Sequence, residues 1–568
     1  MNLVRKTMHI GRVIIFMVMS IIYCYRNQIL NNFSVIFGDK YDTIIETSIL
    51  HHWKNTIFSA ETWSSTQYFF PYPKTLGYND GYFLFGILYS IFYTITHNPF
   101  ISNELVGVSL HAIGFWLFYV MAYTVFGFRF SSSIFGAFVF VTSNNIWINS
   151  AHHMQILLLY LIPALIILFD RSRKNYGCGG NKYFYFYAIS CGALSAACFT
   201  TAYYMSWFFL FNICIMLAVS VIYLYMNKKI RVVIKEVFVA YPVYVTLLSS
   251  FVFFMIPFLY IYLSKAHETG MHSWQDTRHY LPHPYDLFNI GAWNGEVMAA
   301  FSALNRLGQW TLGRDIITKA PYHFTEFLVG FPPVTLALAA WGAWIGTRDG
   351  AARYSKTTWL VFSSTNLIIL VLCFKLGPIS LWHLVFYIVP GAKGLRVVSR
   401  FFLYETLPLC IALAIAYDVL LQRKQHFLAI VLLFVVVCEQ LNFSPVLTLA
   451  AQSEQKFYAS IPQKPPACTT FFVADRQPSI PDRTYDLYHG NIIAMMYSEL
   501  EQIPTPMGFS TFNPPDWNFN APYNGMSGVT DITTRAIQYA STHNFLPGLC
   551  ELKITTSIPL WVNLKSAP

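Results

Sequence analysis

The sequence predicts an α-helical polytopic membrane protein, and three observations carry that reading. Charged residues make up only 11% of the 568 residues while hydrophobic residues reach 55%; a soluble domain carries roughly 25% charged residues. The apolar residues collect in runs long enough to cross a bilayer, which takes about 20 mostly apolar residues per helix. The basic residues behind the formal charge of +10 sit in short clusters between those runs, where orientation signals belong. Such clustering points to the lipid bilayer as partner and argues against nucleic acid. Aromatic residues at 18% suit a protein with two wet interfaces, where Trp and Tyr anchor.

Candidate spans lie at 10–28, 104–126, 131–149, 153–170, 183–201, 203–226, 237–262, 326–346, 357–376, 401–421 and 426–443, about eleven in all. The stretch 81–96 is too short or broken to span, and 378–390 starts and ends with proline. The positive-inside rule tests the assignment. Basic clusters occur at Arg5/Lys6, Arg129, Arg171/Arg173/Lys174/Lys182, Lys228/Lys229/Arg231/Lys235, Arg348/Arg353/Lys356 and Arg423/Lys424. All fall on one side only if 81–96 does not cross, so it is read as a helix lying in the outer interface. The loops near 149–153 and 200–203 carry no Lys or Arg, as the rule requires of the opposite side.

The N-terminus is then inside and the C-terminus outside. MNLVRKTMHIGR followed by IIFMVMSIIYCY has no A-x-A-like cleavage site and reads as a retained signal anchor. Four outer segments are large: 29–103, 263–325, 377–400 (re-entrant or outer) and 444–568. This divides the chain into a transmembrane module, 1–443, and a C-terminal extracytoplasmic domain, 444–568, expected to be mixed α/β. Ten cysteines show no CxxC or zinc-type spacing. Cys191, Cys198, Cys214, Cys373 and Cys410 lie in apolar runs as packing residues, whereas Cys468 and Cys550 lie in the outer region, where a disulfide is open to them.

Candidate chemistry gathers in the outer segments. GDKYDTIIETSILHHW (38–53) places Asp39 and Asp42 shortly after the first span, and Asp80 follows in FFPYPKTLGYNDG (69–81). A carboxylate at the mouth of a helix bundle can act as a general base if it reaches a hydroxyl; the bland alternative is a solvated loop or cap residue. SNNIWINSAHHMQ (143–155) supplies His152, His153 and Gln155. If that segment is helical, His152 and Gln155 share a face and can bind sugar hydroxyls, a phosphate or a metal. GPISLWHLVFYIVPGAKGLRVVSRF (377–401) carries Lys393, Arg396 and Arg400 three to four residues apart. Cations outside run against the positive-inside bias, and Arg forks recognise phosphate. A lipid-linked phosphate or pyrophosphate is the ligand that fits, against the plainer reading of anionic headgroup contact. HETGMHSWQDTRHYLPHPYD, in the 263–325 loop, suits carbohydrate stacking or an interfacial belt. The 494–517 stretch reads as an ordered, turn-rich loop.

Together the GDKYD run at 38–42, the interfacial 81–96 helix, the Arg129 turn, HHMQ at 152–155 and GLRVVSRF at 394–401 resemble the GT-C superfamily of membrane glycosyltransferases over roughly 1–443. The resemblance implies transfer of a sugar from a polyprenyl-phosphate donor to a glycan, lipid or protein acceptor. It places the reaction outside the cytoplasm, at a bacterial inner membrane. It makes Asp42 or Asp39 the catalytic base. Arg396, Arg400 and Lys393 would hold the donor phosphate, with Asp80, His152, His153 and Gln155 at the substrate. The family's acidic pair in the second outer loop has no clear counterpart here, so a divalent cation, Mg2+ or Mn2+, and its ligands stay open. The competing classes are a transporter or flippase of a lipid-linked or small polar substrate, and a non-catalytic scaffold. Transporters place ionisable groups within spans near the midplane, whereas here they collect in outer loops.

Overall fold

A computed structural model describes residues 2–177, 182–228, 239–291, 294, 302–303, 305–307, 309–311, 325–351, 353–442, 447–475, 487–519, 532–554 and 559–563. Lys229, Arg231, Lys235, most of 292–324 and the side chains of Arg5 and Lys6 lie outside the described residues. Within them the protein is predominantly helical. Six helices are long and apolar enough to cross a membrane: Pro99–Phe126, Met154–Gly177, Tyr183–Thr201, Tyr203–Met226, Lys356–Cys373 and Val398–Gln422. A seventh span results if Tyr241–Phe254 and Ile256–Thr269 count as one broken helix. Tyr203–Met226 has a mean hydropathy of 2.3 over its apolar window, of which only 17% is buried. Leu217, Val221 and Ile222 on it, and Leu248, Val252 and Phe253 on Tyr241–Phe254, are exposed. Contiguous apolar surface on this scale is tolerated where lipid is the solvent. The chain is therefore an integral membrane protein of the α-helical type.

The count of eleven is not reproduced, because hydropathy registers apolar length and not helix continuity. The 131–149 run breaks at Ser143 into Phe130–Thr142 and Asn144–Ser150. The 326–346 run starts its helix only at Pro333 and ends at Asp349, since proline fits the first helical turn and not the interior. The 10–28 and 426–443 runs carry the shorter apolar helices His9–Cys24 and His426–Glu439. The 81–96 stretch forms Phe83–Thr96, 14 residues long and too short to span.

The chain packs as two compact units. The first comprises Met1–Arg26, Val108–Met255 and Met271–Val446. Its centre is Val398–Gln422, of whose apolar window 94% is buried. Against this helix pack Pro333–Asp349 and Phe130–Thr142. Gly342 lets the first of these approach closely, for a Cβ there would collide with the Ala412 carbonyl oxygen. Tyr183–Thr201 packs on Tyr241–Phe254 and on Ile162–Gly177, and Tyr203–Met226 on Lys356–Cys373.

The second unit comprises Asn27–Gly107, Ile256–Gly270 and Leu447–Pro568. Segments distant in sequence thus share one core. Helix Asp42–Phe58 is buried along most of its length and packs on Phe83–Thr96 and Leu487–Glu501. Gly86 makes the first contact close, since a Cβ there would enter the Trp53 ring. Thr470–Asp475 pairs in parallel with Leu549–Ile554, which pairs antiparallel with Leu560–Asn563. Cys468 and Cys550 form a disulfide beside this sheet, with Cα atoms 5.6 Å apart. Ile36–Phe37 pairs with Thr448–Leu449, and the 67–70 strand-like segment bonds to Thr505 and Met507.

Candidate functional site

Candidate side chains lie in both units. In the first unit the cationic segment 391–400 forms two single turns, Ala392–Gly394 and Val398–Arg400, and not one continuous helix. The phenolic oxygen of Tyr204 accepts the backbone N–H of Arg396 at 2.8 Å and of Val397 at 3.2 Å, fixing the turn between them. Lys393 is exposed, Arg396 half-buried and Arg400 buried. The Arg396 guanidinium lies over Tyr280, 5.1 Å from the ring centre, and the Lys393 ammonium near Tyr387, at 5.4 Å; both are cation–π distances. Arg400 is engaged differently: its Nε donates to Glu326 Oε2 at 3.0 Å and its Nη2 to Oε1 at 2.8 Å. The fork that sequence reasoning assigned to a phosphate therefore meets a carboxylate bidentately.

His153 joins this pair, its Nε2 3.6 Å from Glu326 Oε1. Burial would raise the Glu326 carboxyl, but Arg400 and His153 outweigh it and hold the group well below the ordinary carboxylate range. The helical premise for His152 and Gln155 does not apply. Asn144–Ser150 ends before them, and a 3-10 segment begins only at Met154, with Ala151 and His152 in a turn between. Asn144 and Asn149 instead hold backbone carbonyls at Ile290 and Leu328.

Nearby in chain order, a cavity of about 340 Å³ is lined by His279, His283, Tyr285, Asp286, Phe327 and Lys375. The His283 and Tyr285 rings stack with centroids 5.0 Å apart. Asp286 accepts the His283 backbone N–H at 2.7 Å, and burial raises its carboxyl despite that bond. The aromatic and polar content of this loop was visible in sequence; which residues surround one cavity was not.

In the second unit Asp39 is a turn former. Its Oδ1 accepts the backbone N–H groups of Tyr41 and Asp42, both at 2.8 Å, at the entry to helix Asp42–Phe58. Asp42, in the first turn, gains from the helix dipole. Tyr82 lies in the electrostatic field of several acidic groups. Its hydroxyl donates to Glu46 Oε1 at 3.0 Å, and burial, then Glu46, Asp80 and Asp42, push its pKa well above the usual tyrosine value. The structure thus brings Asp42 and Asp80 into one electrostatic neighbourhood and adds Glu46, one helical turn beyond Asp42, which sequence reasoning passed over.

A second cluster was also missed, although HHW (51–53) lay within the run singled out. His52 Nδ1 is 3.5 Å from Glu61 Oε2 and 3.8 Å from Glu499 Oε2. Burial would lower the imidazole, but Glu61 and Glu499 raise it above its ordinary value. Burial likewise raises the Glu499 carboxyl. The neighbouring His51 bonds Tyr89 through Nδ1 at 2.9 Å, and burial lowers it to about 3. No family model and no curated protein matches this chain.

Proposed function

We propose that the protein is a membrane glycosyltransferase of GT-C-like architecture that uses a polyprenyl-phosphate sugar. The observation that carries the reading is the cationic segment directly ahead of Val398–Gln422. Lys393 and Arg396 stand there at the boundary between a span and the connection that precedes it, on a turn held by Tyr204. A phosphate tethered to a lipid tail presents its charge at that depth. The disulfide in the second unit supports an extracytoplasmic place for that unit, since disulfides persist in oxidising compartments. It thereby supports the orientation with the N-terminus inside, as in a bacterial inner membrane.

In the reaction the acceptor hydroxyl oxygen attacks the anomeric carbon. The bond from that carbon to the phosphate oxygen breaks, and polyprenyl phosphate leaves with the electron pair. Arg396 and Lys393 stabilise the charge that develops on it. Arg400, bound by Glu326, positions the turn that carries them. The acceptor proton passes to a carboxylate of the first outer segment. The bonds made by Asp39 to two backbone amides favour Asp42 for this role, with Asp80 and Glu46 shaping the field around it. No second carboxylate is needed, because phosphate leaves without protonation, unlike the sugar alkoxide of glycoside hydrolysis.

The test is sugar transfer by purified protein in detergent, offered a panel of polyprenyl-phosphate sugars, with Asp42→Asn, Asp39→Asn and Arg396→Ala beside the wild type. We expect Asp42→Asn to abolish transfer and Arg396→Ala to lower kcat by about a hundredfold, with folding and expression intact. Turnover that survives in both Asp variants removes the base assignment. Movement of the lipid-linked donor across proteoliposomes without transfer would replace the transferase by a flippase.

A further inference from the structure

The cluster of His52, Glu61 and Glu499 in the second unit has no part in the reaction above, and its geometry calls for a ligand. His52 Nε2 lies 3.1 Å from the Trp63 carbonyl oxygen. A carbonyl only accepts, so Nε2 carries the ring proton. Nδ1 then faces Glu61 Oε2 and Glu499 Oε2 at 3.5 and 3.8 Å. Neither His52 Nδ1 nor Glu61 Oε2 has a hydrogen-bond partner among the described residues. The His52 side chain is 0% exposed and that of Glu61 11%. In the neutral tautomer three lone pairs converge on one buried point, which is costly unless something positive stands there.

The surrounding groups hold this convergence in place. Glu61 Oε1 accepts Gln67 Nε2 at 2.5 Å, and Glu499 Oε1 accepts the Gln67 backbone N–H at 2.9 Å. Asn55 Nδ2 donates to the Glu499 carbonyl at 2.7 Å and to its Oε2 at 3.3 Å. Lys54 approaches the same carboxylates, but its ammonium bonds Asn55 Oδ1 at 3.1 Å. His52 and Glu61 are thus oriented through their other atom, and Glu499 through both carboxylate oxygens. A histidine ligand held by a backbone carbonyl and carboxylates held by amides form the outer shell typical of metal sites.

We propose that His52, Glu61 and Glu499 bind a divalent first-row transition cation, such as Mn2+ or Zn2+, through Nδ1 and the two Oε2 atoms. The two carboxylates balance its charge. One imidazole nitrogen among the donors favours this class over Mg2+ or Ca2+, which prefer oxygen ligands only. Bonds of about 2.0–2.2 Å in a tetrahedral site place ligands about 3.3–3.6 Å apart, within a few tenths of an ångström of the two His52–carboxylate distances, and all three ligand atoms lie within 4.8 Å of one another. The three residues come from helix Asp42–Phe58, from the segment after it and from the end of Leu487–Glu501. A bound cation therefore ties the first outer segment to the C-terminal region within one unit.

The test needs no sugar donor, so its failure is separate from failure of the transferase reading. Full-length protein in detergent is stripped with chelator, dialysed against Mn2+ alone, and measured by elemental analysis, Mn2+ electron paramagnetic resonance and thermal unfolding. We expect one Mn2+ per chain, a nitrogen coupling from one histidine, and a higher Tm with Mn2+. Glu61→Gln, at the rim of the cluster, should bind at least tenfold more weakly and show no Tm gain. His52→Gln should lose the nitrogen coupling, and exposed Glu501→Gln should match the wild type. Should buried Glu499→Gln fail to fold, the wild-type stoichiometry and Glu61→Gln still decide. Wild type that binds no Mn2+, or binding equal in wild type, Glu61→Gln and His52→Gln, overturns the proposal and leaves an imidazolium between two carboxylates.

Discussion

Arg400 and Glu326 show how a side chain's role depends on what folds against it. The spacing of Lys393, Arg396 and Arg400 displays three cations, and the fold then gives one of them a carboxylate 74 residues earlier in the chain. Replacing Arg400 by Met leaves Glu326 buried without its main partner, and removing one member of a buried pair costs about 3–5 kcal/mol. Denaturant unfolding in detergent should record that loss, with part of it recovered in Arg400→Met/Glu326→Gln. The Glu326 carboxyl is depressed in the folded state. Its stabilisation is therefore complete above the ordinary carboxylate pKa and fades as pH falls below about 4.3 toward the folded value. A pH series of unfolding should show this acid loss in wild type and its absence in Glu326→Gln. Stability differences that stay flat from neutral pH to strong acid would contradict the pairing.

Among elements, Pro333–Asp349 illustrates how a span acquires its start. Pro332 and Pro333 end the preceding loop, and the first free N–H groups need acceptors. Glu439 supplies them: Oε1 accepts the N–H of Val334 at 2.8 Å, and Oε2 accepts the N–H and hydroxyl of Thr335 at 2.5 and 2.6 Å. An acidic residue at the end of an apolar run looks in sequence like a polar boundary, yet it caps a different helix. Glu439→Ala should destabilise the protein by about 2–3 kcal/mol, in the range for hydrogen bonds to a charged group. Thermal unfolding in detergent checks it. Asp418 plays a similar part, accepting the Arg129 N–H at 3.0 Å and the Ser132 hydroxyl at 2.8 Å. These carboxylates within or beside spans serve backbone termini, which is why their presence does not of itself indicate a transport path.

At the scale of the whole molecule, the sequence alone suggests a module followed by a C-terminal domain, whereas the folded chain groups residues into two units. Asn27–Gly107 and Ile256–Gly270 share the second unit with the C-terminal region. The disulfide closes a loop across 82 positions in sequence, which by chain entropy stabilises that unit by about 4.5 kcal/mol. Cys468→Ser/Cys550→Ser should therefore expose the second unit to limited proteolysis at lower temperature. An unchanged protease profile would mean that packing of Thr470–Asp475 and Leu549–Ile554 is sufficient without the bond.

The membrane-embedded helical class, most helix positions and the shortness of 81–96 were legible from residue order, because lipid solvation acts on each apolar run locally. The polar character of the segments between and after those runs was legible for the same reason. Helix breaks at Ser143 and at 151–153, the pairing of Arg400 with Glu326, and the meeting of His52 with Glu61 and Glu499 were not. Those depend on contacts that the folded chain makes between residues not adjacent in sequence, and a polar group's partner is chosen by proximity in the folded chain, to which spacing in the sequence is blind.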